Sequence, residues 1–190
     1  WSDLVLQPPP GLFEQLVRAY EEPQRHYHSL QHLRECLMHF DQARHLAQQP
    51  GEVAIALWFH DAIYDVRGKS NERQSADWAI QVLVSCQASQ ATLARVEQLI
   101  MVTRHDATPG EPDEQLLVDI DLAILGATPE RFAEYDAQVR AEYAWVPGLV
   151  YRIKRRSVLK SFLARSMIYS TDHFRMRYEA QARINLAGAV

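Results

Sequence analysis

An all-α fold, a single-domain bundle of roughly eight or nine helices, is predicted by three features of the sequence. Apolar residues recur at helical spacing along almost the whole chain, and no segment of strand length alternates convincingly between apolar and polar. Capping and breaking residues fall between the periodic segments, where a succession of helices needs them. With 190 residues, 47% of them hydrophobic, the chain is long enough to bury one sizeable core.

In chain order, Leu12, Leu16 and Tyr20 mark a short first helix after the "PPPG" run. The second is expected from about Ser29 into the forties, with Leu30, Leu33, Leu37 and Phe40 on one stripe and Pro50–Gly51 ending it. A third runs from Glu52 to about Ile63 through an apolar stretch that ends in His60 and Asp61. The polar loop "DVRGKS" leads to a fourth, from about Asn71 to Gln87, and Ser89 caps a fifth that reaches about Thr103. Asp113 is the expected cap of the next helix, which ends near Gly126, a residue type suited to a helix C-terminus. Thr128 and Pro129, a cap and a first-turn proline, open a helix to about Ala144. After "VPG" come a basic helix from about Leu149 to Arg165 and a last one from about Asp172 to Leu186.

Composition narrows the class of function. The net charge of −4 argues against non-specific nucleic-acid binding, and no apolar run is long enough to span a membrane. No basic segment followed by a small-residue cleavage site is visible, and Cys36 and Cys86 are too few for a disulfide framework. A soluble, cytoplasmic protein without nucleic-acid or membrane partners is expected. No Gly-rich phosphate loop, nucleophile motif or dinucleotide fingerprint is present.

Chemistry concentrates in three places: "YHSLQH", "LWFHDAIYD" and "DID". His60 and Asp61 end a run apolar enough to be buried, and buried imidazole and carboxylate groups are costly unless paired or metal-bound. His28 and His32, four residues apart, are expected on one face at the start of the second helix, where both rings can point at one site. The same stripe continues through Cys36 and His39, which is also the pattern of ordinary polar residues at a helix boundary.

A His, a His-Asp doublet and a distal Asp together resemble the HD superfamily of metal-dependent phosphohydrolases. "YHSLQH" is similar to the Tyr-His-x-x-x-His element of the cyclic nucleotide phosphodiesterases, which share that helical core. "RHYHSLQHL", "ALWFHDAIYD", "NERQSA", "DIDLAILG" and "FLARSMIY" resemble a small family of uncharacterised bacterial proteins predicted to be HD-type phosphohydrolases. The resemblance implies an HD-type helical bundle. His32, His60, Asp61 and one later aspartate would be its metal ligands, and His28 would be the general acid that protonates the leaving oxygen.

Asp119 and Asp121 lie about 200° apart on a helix, so one of them faces such a site squarely. "DLA" resembles the Asp-Leu-Ser that follows the distal ligand in the phosphodiesterases and favours Asp121. Asp119 is left to bind through water or to cap a neighbouring group.

A donor set of imidazoles and carboxylates without Cys suits a divalent transition metal, Mn²⁺, Fe²⁺, Zn²⁺, Co²⁺ or Ni²⁺, with Mg²⁺ an option at a second site. Such a metal lowers the pKa of a bound water, which then attacks phosphorus. His105 is the candidate for an additional metal ligand. Asp65 and Glu72 frame the loop after the doublet and are candidates for orienting water, although Glu72 also suits a helix N-terminus. Arg25, Arg155 and Arg165 are the candidate phosphate-binding cations, because the guanidinium fork matches phosphate geometry. Tyr27, Tyr64 and Tyr169 are candidates for lining a pocket or stacking on a base.

The expected activity is hydrolysis of a small phosphoester, with nucleotides the foremost class. A non-catalytic metal- or nucleotide-binding regulatory module is the alternative. An HD-type di-iron oxygenase fits less well, because His105 alone lies between the doublet and the last Asp.

Overall fold

A computed structural model describes residues 1–4, 6–106 and 108–190. Among these residues there are nine α-helices and no strand, as the periodicity predicts. They are α1 (Leu12–Tyr20), α2 (Leu30–Ala43), α3 (Pro50–Phe59), α4 (Asn71–Ser85), α5 (Gln90–Met101), α6 (Pro112–Asp121), α7 (Pro129–Glu142), α8 (Gly148–Leu163) and α9 (Asp172–Ala189). No helix of the described residues is long and apolar enough to cross a membrane. The chain divides into two compact units, Trp1–Val118 and Asp119–Val190.

In the first unit α3 is the central element. Its residues Val53, Ile55, Ala56, Leu57 and Phe59 are all buried, and it packs against α2, α4 and α5. A helix apolar on every side has to be surrounded in this way. Its one buried charge, Glu52, is held by a two-bond fork from Arg95 of α5, at 2.6 and 2.7 Å. The fork satisfies both carboxylate oxygens, which is the condition under which a buried carboxylate is tolerated.

The sequence expectation that Pro50 and Gly51 stop the second helix is not met, since α2 ends at Ala43. Pro50 instead occupies the first turn of α3, where its missing N–H is no loss. The helix before it has already tightened into a 3-10 turn at Arg44–Leu46. Asp113 likewise does not cap its own helix. It lies within the first turn of α6, and its carboxylate accepts from the backbone N–H groups of Gln48 and Gln49, at 2.7 and 2.8 Å, at the start of α3. Ser89 does cap α5 as predicted, accepting from Thr92 N.

In the second unit α9 packs against α8 and against the 3-10 turn Leu122–Gly126, around a core that includes Leu125, Phe132, Leu159, Tyr169, Phe174 and Leu186. Thr128 caps α7 as predicted. Gly126 is not a left-handed helix terminus. A Cβ there would lie 2.6 Å from both Cβ and the carbonyl oxygen of Tyr178, so the glycine exists to let α9 approach. The carboxamide of Asn185 donates to Leu125 O and Ala127 O, each at 2.9 Å, and ties α9 to the same turn.

Candidate metal centre

Two helices of the first unit supply the buried core of the site. His32 lies in the first turn of α2 and His60 immediately follows α3, and both rings are buried. Their Nε2 atoms face each other at 3.2 Å. Asp61 Oδ2 stands 3.2 Å from His60 Nε2 and 3.4 Å from His32 Nε2. Two donors each about 2.1 Å from one ion are about 3.0 Å apart at a right angle and about 3.4 Å apart at the tetrahedral angle, so these spacings suit a shared ion.

The tautomer of His60 suits it too. Its Nδ1 is 2.8 Å from the carbonyl oxygen of Leu57, which can only accept. The proton of a neutral ring is therefore on Nδ1, and the Nε2 lone pair is directed at the other donors.

Burial pushes the Asp61 carboxyl up, but the positive charge that His60 and His28 carry when protonated, with hydrogen bonds from His32 and His60, outweighs it. The carboxyl is held well below the usual carboxylate range, in the anionic form that ligates cations.

Cys36, one turn beyond His32 on α2, adds a fourth donor of a third type. Its buried Sγ is 3.7 Å from His32 Nε2 and 3.8 Å from Nδ1. One donor atom from each of His32, Cys36 and His60 lies within 4.8 Å of the others, a buried group that could hold a metal ion.

His28 is not on the helical face expected for it, since α2 begins only at Leu30. It sits in the preceding loop, half-buried, with its ring stacked on Tyr64 at 4.1 Å and 6.1 Å from the ring of His32. Tyr27, buried, lies 4.7 Å from the His32 ring.

Arg25 has a different task from the phosphate contact expected of it. The buried guanidinium donates to His28 O at 3.1 Å, Asp61 O at 2.6 Å and Ala62 O at 2.9 Å, while its Nε donates to Glu22 at 3.0 Å. One side chain thus binds the backbones of both site-bearing segments, reaching 36 residues along the chain to Asp61. Arg155 and Arg165 also have other partners, in the second unit. Arg155 pairs with Asp136 at 2.9 Å and lies 4.7 Å from the Tyr135 ring centroid, and Arg165 lies over Phe162.

Of the two roles open to Asp119, the structure shows the capping one. Its buried carboxylate accepts from Ser170 N at 2.8 Å, Thr171 N at 2.7 Å and Thr171 Oγ1 at 2.7 Å, at the start of α9. Burial raises its pKa despite these bonds. Asp121 is the last residue of α6 and is half-buried.

Asp65 is exposed, and its carboxylate accepts from Arg67 N at 2.9 Å in the loop after the doublet. Glu72 occupies the first turn of α4, and His105 adopts a left-handed conformation, φ 56°, after α5. Neither belongs to the buried donor group. Tyr169 is a core residue whose hydroxyl donates to Leu122 O at 3.0 Å.

The spacing of Cys36, one turn from His32, is the sequence signal for its place in this group. Nothing local marked Arg25 for its bonds to distant carbonyls. Comparison with family profiles, with characterised proteins and with solved structures found no match to the chain.

Proposed function

We propose that the chain is a metal-dependent phosphohydrolase acting on a small phosphoester such as a nucleotide. The observation that carries this reading is the convergence of His32 Nε2, His60 Nε2 and Asp61 Oδ2 within 3.4 Å of one another. These residues of the first unit would hold a divalent transition metal.

A metal bound there supplies an acidified water and polarises a phosphoryl oxygen. The remaining tasks fall to side chains. His28, half-buried and stacked on Tyr64, is the proton donor to the leaving oxygen. Leu57 O fixes the His60 tautomer, and Arg25 holds the carbonyls of His28, Asp61 and Ala62 so that the two segments keep their register.

The test is phosphate release from a panel of nucleotides and simple phosphoesters. Metal-stripped protein is resupplied with Mn²⁺, Co²⁺, Ni²⁺, Zn²⁺ or Mg²⁺, beside Asp61→Ala. The expected result is metal-dependent release that the variant loses. Metal-loaded, folded protein that releases no phosphate from any of them would replace hydrolysis with ligand binding as the function.

A further inference from the structure

The ligands named so far donate through nitrogen and oxygen, yet the thiol beside them is placed like a ligand as well. Cys36 is buried and sits one turn from His32 on the same face of α2. Its Sγ shares a space 4.8 Å across with donor atoms of His32 and His60. Around a tetrahedral ion, a nitrogen at about 2.1 Å and a thiolate sulfur at about 2.3 Å stand about 3.6 Å apart. Cys36 Sγ is 3.7 Å from His32 Nε2 and 3.8 Å from Nδ1, so it lies against the ring and a side-chain rotation brings it and Nε2 onto one ion, while the two histidine nitrogens are 3.2 Å apart. A cysteine that merely fills an apolar core needs no imidazole neighbours, whereas this one adjoins the two rings whose nitrogens converge.

We propose that Cys36 Sγ is itself a ligand of the ion held by His32 and His60. The centre is then a mixed nitrogen and sulfur site that selects Zn²⁺, Fe²⁺ or Co²⁺ over Mg²⁺ and Mn²⁺. Soft thiolate donors favour the first group, whereas Mg²⁺ and Mn²⁺ prefer oxygen. Binding converts the thiol to a thiolate, and the Sγ proton leaves to solvent. The proposal rests on the metal-centre reading above and changes which metal serves it.

The experiment is a Co²⁺ titration of the metal-stripped full chain carrying Cys86→Ser, so that Cys36 is the one remaining thiol. Visible ligand-field bands report any Co²⁺ bound by histidine and carboxylate. A near-ultraviolet sulfur-to-cobalt charge-transfer band reports Cys36 alone. Both bands are expected at one Co²⁺ per chain.

Adding Cys36→Ser should abolish the charge-transfer band, keep ligand-field bands and weaken Zn²⁺ binding by about tenfold or more, since losing even an outer-shell partner costs about that much. Mn²⁺ binding should change far less. Ligand-field bands without charge transfer in the Cys86→Ser protein would overturn Cys36 as a ligand and leave the histidine-aspartate centre standing. Folded protein that binds neither Co²⁺ nor Zn²⁺ would overturn both. The charge-transfer result comes from protein with Cys36 intact, so it does not depend on the Cys36→Ser variant folding.

Discussion

Two aspartates separated by one residue, Asp119 and Asp121, show how far identity and spacing carry at the residue scale. Helical geometry says that they diverge, the motif favours the second, and the first is left to bind through water or to cap a neighbour that the sequence does not name. Its partners are the N–H groups of Ser170 and Thr171, some 50 residues downstream, and no local pattern announces a partner at that distance. Asp119→Ala leaves the Ser170 and Thr171 donors without their acceptor and should cost about 2 kcal/mol in urea unfolding, with Co²⁺ binding retained. Unchanged unfolding would show that water replaces the carboxylate on those donors without loss. Arg25 teaches the same point, since an arginine near a proposed phosphohydrolase site reads as a phosphate ligand until its N–H groups are found on His28, Asp61 and Ala62 carbonyls.

At the scale of elements, signals that act within one turn were legible. Ser89 and Thr128 each accept from the N–H three residues on, so the sequence that names the cap also contains its partner. Signals that act across elements were misread. Asp113 is expected to cap the helix that contains it, yet its carboxylate accepts from Gln48 N and Gln49 N just before α3, because an acidic residue satisfies whichever free N–H groups the packing brings near. Gly126 was read as a terminus for its conformational freedom, whereas its value lies in its missing side chain. Gly126→Ala places a methyl 2.6 Å from the Tyr178 backbone oxygen and Cβ, which cannot yield as the end of a flexible chain would. We expect this variant to lose about 1–3 kcal/mol by urea unfolding, the usual cost of overpacking. Gly148→Ala, which meets nothing within 4 Å, is the matched control. Equal stability of the two variants would show that the turn and α9 adjust freely.

For the molecule as a whole, the chain holds a cluster that is expensive to bury unless it is used. His32, His60 and the neighbouring Asp61 bring imidazole nitrogens and a carboxylate oxygen together beside an otherwise apolar core. With both rings neutral, the facing nitrogens of His32 and His60 share at most one hydrogen between them. An ion that binds this arrangement in the native state and not in the unfolded chain must raise the stability of the fold. At a free metal concentration one hundred times Kd the gain is about 2.7 kcal/mol, equivalent for a chain of this length to about 5–11 °C in Tm. Melting followed by circular dichroism, in chelator and then with added Zn²⁺ or Co²⁺, should show that rise. His60→Ala should melt at the same temperature under both conditions. Because the gain follows from linkage alone, it requires no substrate and no turnover, and so it tests the centre apart from the reaction. A Tm that does not respond to any of these metals in the unaltered chain would mean that the convergence of His32, His60 and Asp61 is held together by hydrogen bonding alone, and that the phosphohydrolase reading has lost its metal.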